Sequence, residues 1–176
     1  MENLKRLQNS SKNLLSVVLS FKNEEENLWE LIKRLRNVLT VERDKGIITD
    51  HELIFVNDAS TDHSLEILLE EAKGHNDIKI LNMSRTFGVT PCVLAGLRYA
   101  SGDMVVYMDA DLQDPPEVIP EMIKAWRESG DIDVVNTVRL SRAGETRIKL
   151  WVTKLGYFIL KKVTNINPES CVKTIF

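Results

Sequence analysis

Three acidic side chains fall within residues 109–114, directly after an apolar run. Asp109 and Asp111 are separated by one residue, so both carboxylates can face one hard cation, and Mg²⁺ and Mn²⁺ prefer oxygen ligands. Gln113 is a further oxygen donor in the same segment. The alternative is a solvated acidic turn that caps the following helix, and Asp114 suits that capping role better than a ligand's. The position at a strand end favours the metal site.

A second polar cluster, residues 57–62, follows another apolar run. Asp58 stands at the end of that run, where a carboxylate could accept an N–H from a nucleotide base. Ser60, Thr61 and Asp62 are all good caps, so a cap and turn explains the cluster equally well. We assign Asp58 to ligand contact and Asp62 to structure.

Three further clusters also follow apolar runs. Residues 20–24 could supply backbone groups and an aromatic edge to the same nucleotide, although a helix start explains them equally well. Arg85 could face a diphosphate or be a surface side chain. Arg139 begins a basic stretch that suggests a phosphate-bearing acceptor, although spacing alone slightly favours a solvated loop.

The elements that must position these clusters alternate between apolar strands and amphipathic helices. Such alternation predicts an α/β fold with a mostly parallel sheet, in which ligands bind outside the carboxyl ends of the strands. Four predicted strand ends carry polar clusters: those after Ser20, Asn57, Met83 and Met108. The predicted strands are 14–20, 52–57, 78–83, 104–108 and 132–138, and the predicted helices cover 24–39, 62–74, 91–102, 115–130 and 145–163.

Composition excludes several classes of protein. The 176 residues carry a net charge of −3 and are 43% hydrophobic, which excludes a mainly disordered chain and provides no basic field for nucleic acid. Two cysteines form neither a disulfide framework nor a zinc pattern, in keeping with a reducing compartment. The glycine-rich dinucleotide fingerprint, the P-loop and the hydrolase nucleophile elbow are absent from the sequence.

No segment of this sequence reaches the roughly 20 apolar residues that a membrane helix needs. The predicted helix 145–163 has a broad apolar face with Trp151 and Phe158 beside lysines. Spacing favours a core role for this face. An uncovered face would instead allow peripheral contact with anionic lipid or self-association into a homo-oligomer.

Together the clusters resemble family 2 glycosyltransferases of the GT-A fold, and most of all the polyprenyl-phosphate hexosyltransferases of that family. The resembling pieces occur in family order and span residues 14–168. They are residues 16–18, 23–28, 52–62, 84–88, 95–97, 100–103 and 109–117.

The resemblance implies transfer of a hexose from a nucleotide-sugar, UDP- or GDP-linked, to a lipid phosphate with inversion at the anomeric carbon. Asp109, Asp111 and Gln113 would hold Mg²⁺ or Mn²⁺ on the donor diphosphate, with Asp111 also counted as catalytic. Arg139, also counted as catalytic, would face phosphate near the acceptor. The remaining donor contacts would be Phe21, Asn23, Glu24, Asp58, Arg85 and Gly88.

The resemblance departs from the family at Ser20, where relatives often carry proline, and at Thr86, where they often carry asparagine. Residues 1–13 are expected to be flexible and 14–168 to form the catalytic domain. Residues 169–176 are expected to be a non-matching tail that replaces part of the acceptor side, as in a truncated product. The expected location is the cytoplasm, at the inner face of the membrane. The alternative function is a non-catalytic remnant that folds and at most binds nucleotide-sugar.

Overall fold

The computed structural model describes residues 13–129, 132–138 and 172–175. Strands and helices alternate in the described residues between 14 and 138, as the sequence predicts. The elements are β1 (Leu14–Phe21), α1 (Leu28–Asp44), β2 (Asp50–Asn57), α2 (Ser64–Gly74), β3 (Ile78–Asn82), α3 (Val89–Tyr99), β4 (Met104–Asp109), a 3₁₀ turn (Pro116–Val118), α4 (Ile119–Ser129), β5 (Val135–Val138) and β6 (Val172–Ile175).

The first four strands form one parallel sheet in the order β3-β2-β1-β4. The central strand β1 is buried along its length apart from Leu14, because helices cover both faces of such a sheet and its strands are therefore continuously apolar. Ser20 of β1 is in register with Asp109 of β4, and Phe21 with Asn57 of β2. The α/β prediction is therefore confirmed, and the ends of β1, β2 and β4 lie side by side.

Helix α1 buries the apolar face that the sequence predicts. Leu28, Leu31, Leu35 and Leu39 are fully buried, whereas Val38 is half-buried. The prediction that Glu24 to Glu26 occupy its first turn is wrong, because the helix begins at Leu28. The N–H groups of Asn27 and Leu28 instead donate to the Glu24 carbonyl in a preceding turn.

Several predicted boundaries differ from the structure. Helix α3 begins at Val89 rather than Pro91, because proline is tolerated throughout a first turn whose N–H groups have no intrahelical acceptor. Pro115 is extended, and a 3₁₀ turn precedes α4. The fifth strand is shorter than predicted, and it pairs in parallel with β6 in a separate two-stranded sheet.

The chain divides into two compact units between Pro120 and Glu121. The four-stranded sheet lies in the first unit, and β5 and β6 lie in the second. Arg139 and the predicted helix 145–163 fall outside the described residues, as do residues 1–12. No helix within the described part of the chain is both long and apolar enough to cross a membrane.

Gly96 marks the closest approach of α3 to the sheet. A Cβ atom there would overlap the Val18 Cγ1 methyl and lie 3.1 Å from Val56 Cγ2. Alanine normally stabilises a helix relative to glycine by about 1 kcal/mol, but overpacking a core costs about 1–3 kcal/mol.

We therefore expect Gly96→Ala to lower the free energy of unfolding in a urea titration. Gly74→Ala, at a helix position with open space around it, is the matched control and should not destabilise. Equal effects of the two substitutions would contradict this packing.

Candidate functional site

A cleft of about 260 Å³ lies at the carboxyl ends of β1, β2 and β4. It is at the edge of the sheet where ligands of parallel α/β proteins bind. Its walls come from all three strand ends and from the start of α3. The lining residues are Ser20, Phe21, Lys22, Glu24, Asp58, Val89, Cys92, Asp109, Ala110 and Asp111.

The loops that leave these three strands contain strained backbone. Asn23, Ala59 and Leu112 have φ values of 59°, 55° and 59°, and each lies two or three residues beyond a strand end. Left-handed backbone at a residue with a side chain costs on the order of 1–2 kcal/mol and concentrates at functional sites. These turns change the direction of the chain, and the residues between each strand end and its left-handed residue therefore border the cleft.

Asp109 is held by two hydroxyl groups. Tyr107 Oη donates to Asp109 Oδ1 over 2.5 Å, and Ser20 Oγ lies 3.3 Å from the same oxygen and 3.2 Å from Tyr107 Oη. Burial, and then the hydrogen bond to Asp109, raise the pKa of Tyr107 to about 12. The phenol therefore remains protonated at neutral pH and donates to the carboxylate.

Asp111 lies in the cleft two residues further on. Its Oδ1 accepts the Gln113 N–H over 2.9 Å, so Gln113 contributes a backbone donor, and its side chain is not among the lining groups. Within the described residues, no group of three or more His, Cys, Asp or Glu side chains could hold a metal ion. Two carboxylates nevertheless suit Mg²⁺, which usually binds one or two carboxylates together with substrate phosphates. The cleft is therefore chemically compatible with a cation that a diphosphate helps to hold.

Asp58 is nearly buried beneath the loop that precedes α3. Its Oδ1 accepts the Phe87 N–H over 2.7 Å and its Oδ2 accepts the Gly88 N–H over 3.0 Å. Burial alone would raise the pKa of Asp58, but these two N–H groups, with the Cys92 thiol and Lys22, hold it below its ordinary value. Burial, and then Asp58, raise the pKa of Cys92 to about 11. Asp58 thus both borders the cleft and anchors residues 87–88.

The other predicted donor contacts separate into two groups. Phe21 and Glu24 line the cleft. Asn23 instead joins the β1 and β2 loops, because its Oδ1 accepts the Thr61 N–H over 2.8 Å and its N–H donates to Ser60. Arg85 lies over the Phe87 ring at 4.8 Å, outside the cleft lining.

Gly88 supports the cleft without lining it. It lies just before α3 with a φ of 88°, a conformation that favours glycine. Asp62 accepts the N–H groups of Ser64 and Glu25, in keeping with the structural role assigned to it.

Sequence reasoning missed two functional candidates, one that lines the cleft and one that contacts a lining carboxylate. Lys22 is exposed and donates to Thr86 Oγ1 over 2.9 Å, which brings a positive charge to the cleft wall. Tyr107 donates to Asp109, whereas the sequence marks it only as part of a strand. Its place two residues before Asp109 puts both side chains on one face of β4, and this period of two was the available signal.

Replacing Asp58 should change both folding and nucleotide binding. Alanine leaves the Phe87 and Gly88 N–H groups, whose bonds to Asp58 are partly buried, without these acceptors. We therefore expect Asp58→Ala to lose about 2 kcal/mol of stability as well as affinity for a nucleoside diphosphate. Thermal melts would measure the loss of stability, and calorimetry the loss of affinity.

Asp62→Ala is the matched control, because Asp62 also accepts two backbone N–H groups but does not line the cleft. Equal loss of affinity in both variants would show that Asp58 acts through stability alone.

The parallel sheet and the cleft at its carboxyl edge match the architecture of the GT-A fold. The family model described as Glycosyl transferase family 2 matches residues 16–175. The chain belongs to this family of glycosyltransferases.

The chain is 43% identical over 152 residues to an uncharacterised glycosyltransferase of Synechocystis sp., covering 86% of this chain and 46% of that protein. It is 40% identical over 129 residues to an undecaprenyl-phosphate 4-deoxy-4-formamido-L-arabinose transferase of Photorhabdus laumondii, covering 73% of this chain and 38% of that protein. The chain thus spans less than half the length of these relatives.

Among solved structures, the chain resembles a mannosyltransferase from Pyrobaculum calidifontis in complex with GDP-Man and Mn²⁺. The TM-score is 0.56 at 22% identity, and the match covers 78% of this chain and 41% of that one. At this identity the likeness supports the fold alone.

Proposed function

We propose that this chain carries the donor site of an enzyme that transfers a hexose from a nucleotide-sugar to a polyprenyl phosphate, with inversion at the anomeric carbon. The observation that carries the proposal is the meeting of Asp58, Asp109 and Asp111 in one cleft at the carboxyl edge of the sheet. Similarity to an undecaprenyl-phosphate sugar transferase supports the lipid phosphate as acceptor.

Asp109 and Asp111 would hold Mg²⁺ or Mn²⁺ in this cleft. When bound, the cation neutralises the negative charge that grows on the departing nucleoside diphosphate. Gln113 fixes the orientation of Asp111 through its N–H, and a direct contact from its side chain remains a prediction. The Mn²⁺ complex of the Pyrobaculum calidifontis mannosyltransferase supports a divalent cation on this fold.

The opposite wall would bind the nucleotide base. Asp58 has two carboxylate oxygens with further lone pairs to accept an N–H from uracil or guanine, beyond the two backbone groups that it already holds. The Phe21 ring edge and Glu24 complete this wall. Arg85 and Gly88 would act by shaping the loop, and Asn23 by fixing the β1 turn, rather than by lining the cleft.

The acceptor needs little activation by the protein. A phosphate monoester is largely dianionic at neutral pH, because its second pKa is about 6, and it can attack the sugar carbon without a general base. The sugar passes through an oxocarbenium-like state, as in glycoside hydrolysis. Arg139, outside the described residues, is our candidate for the acceptor phosphate. Because that acceptor is a lipid, we place the protein at the inner face of the membrane.

Donor turnover with and without a lipid phosphate tests the proposal. UDP- and GDP-linked hexoses would be incubated with the 176-residue chain, Mn²⁺ or Mg²⁺, and a polyprenyl phosphate in detergent, and released nucleoside diphosphate would be measured. We expect release that depends on the polyprenyl phosphate. Donor binding without any transfer would favour the non-catalytic alternative, and no donor binding would overturn the proposal.

A further inference from the structure

Asp109 and Asp111, two of the carboxylates that line the cleft, share an arrangement that the sequence motif does not reveal. Each has its Oδ1 occupied by an internal donor: Tyr107 Oη and Ser20 Oγ at Asp109, and the Gln113 N–H at Asp111. Among the described residues, no hydrogen bond or ion pair reaches Oδ2 of either aspartate. Each carboxylate therefore has one oxygen, Oδ2, with no hydrogen-bond donor among the described residues, and at Asp109 two hydroxyl groups crowd the other.

The sheet itself fixes the donors at Asp109. Tyr107 and Asp109 are two residues apart on β4 and so point to the same side, while Ser20 is the register partner of Asp109 on the adjacent strand. Ser20 is 6% exposed and cannot move without disturbing β1. The bonds from Tyr107 and from the buried Ser20 orient the carboxylate.

We propose that Tyr107 is a positioning residue that reserves Oδ1 of Asp109, so that Asp109 offers a cation a single oxygen and the site favours Mg²⁺ or Mn²⁺ over Ca²⁺. Ca²⁺ takes six to eight oxygens and readily accepts both oxygens of one carboxylate, whereas Mg²⁺ requires near-ideal octahedral geometry. A carboxylate limited to one oxygen suits the smaller ion. This inference rests on the proposed metal role of Asp109.

The substitution Tyr107→Phe removes one hydroxyl and keeps the ring. We expect it to weaken Mg²⁺ binding about tenfold, in the range found when a hydrogen-bond partner of a metal ligand is removed. Ca²⁺ binding should weaken less, because Oδ1 then keeps only the longer Ser20 bond and is more accessible as a second ligand oxygen of Asp109. The preference for Mg²⁺ over Ca²⁺ should therefore fall, a change that simple loss of stability would not produce.

Calorimetry would measure Mg²⁺ and Ca²⁺ binding to the 176-residue chain saturated with UDP or GDP. Tyr99→Phe is the matched control, because Tyr99 is 59% exposed at the end of α3 and outside the cleft. Ser20→Ala removes the second hydroxyl and should shift the preference in the same direction by a smaller factor, because its bond to Asp109 is longer.

The outcomes separate the inference from the proposed function. If the unsubstituted chain binds neither cation with nucleotide, the proposed metal role fails and this inference with it. If the unsubstituted chain prefers Mg²⁺ and Tyr107→Phe keeps the same preference, the inference alone is overturned. A fall in preference in Tyr107→Phe, absent from Tyr99→Phe, supports it.

Discussion

Alanine in place of Asp111 should abolish the tightening of nucleoside diphosphate binding by Mn²⁺ or Mg²⁺. The unsubstituted chain should bind UDP or GDP more tightly when either cation is present, because in the proposed site the cation and the diphosphate would hold each other at Asp109 and Asp111. Removing even an indirect partner of a metal ligand costs about 10–100-fold in metal affinity, so removing a ligand should cost at least about 100-fold. Calorimetric titration with and without cation measures the gain.

Glu26→Ala is the matched control for this measurement. Glu26 is an exposed carboxylate near the same edge of the sheet, but it does not line the cleft. Its removal changes the net charge by the same amount and should leave the cation-dependent gain intact. A gain that survives in Asp111→Ala, or is absent from the unsubstituted chain, would contradict the metal role of this aspartate.

The parts of the site that lie along one strand or its loop were predictable from the sequence. Asp109 and Asp111 follow an apolar run, and the parallel α/β pattern alone directs them to the ligand-binding edge. Asp58 was located in the same way. Its actual partners were not predictable, because the Phe87 and Gly88 N–H groups are about 30 residues away and meet it only through the β2–β3–α3 connection.

The features of the fold that were predictable are likewise those that depend on residues close together in the sequence. Apolar runs identified the first four strands to within two residues at each end. In β1 and β2 the reason is burial on both faces, which leaves a continuous apolar pattern. Local pattern does not encode strand order, and the place of β1 between β2 and β4 depends on the connections through α1 and α3. Likewise, no local pattern distinguished β6 from the non-matching tail expected at residues 169–176.

A hydrogen-bond network at the opposite end of the sheet was also not predictable, because its members are far apart in the sequence. Glu52, only 7% exposed, accepts hydrogen bonds from Ser16 Oγ over 2.6 Å and from the Ser101 N–H over 2.7 Å, and it pairs with Lys79. Ser16 Oγ in turn accepts the Gly102 N–H over 2.9 Å. One carboxylate thus ties β1, β2, β3 and the loop before β4 together.

This network should make stability depend on pH through Glu52. Burial alone would raise the pKa of Glu52, but the hydrogen bonds from Lys79, Ser16 and the Ser101 N–H outweigh burial and hold it below the ordinary value of 4.5. A carboxyl group whose pKa is lower in the folded state stabilises the fold above its unfolded pKa. That stabilisation is lost as the pH falls from about 4.5 through the folded-state pKa.

Substituting Glu52→Gln should therefore destabilise the chain at pH 7 by about 2 kcal/mol, the scale of hydrogen bonds to a charged group. The difference in stability between the two chains should shrink as the pH falls below 4.5, because the unsubstituted chain then loses the same charge.

Urea unfolding at a series of pH values measures this difference in stability. The effects of other carboxylates with lowered pKa cancel in the difference, because both chains contain them. Glu70→Gln, which breaks an exposed pair with Lys73, is the control and should cost less than about 1 kcal/mol. A Glu52→Gln difference that stays constant between pH 7 and pH 3 would show that the carboxylate's charge does not hold these strands together.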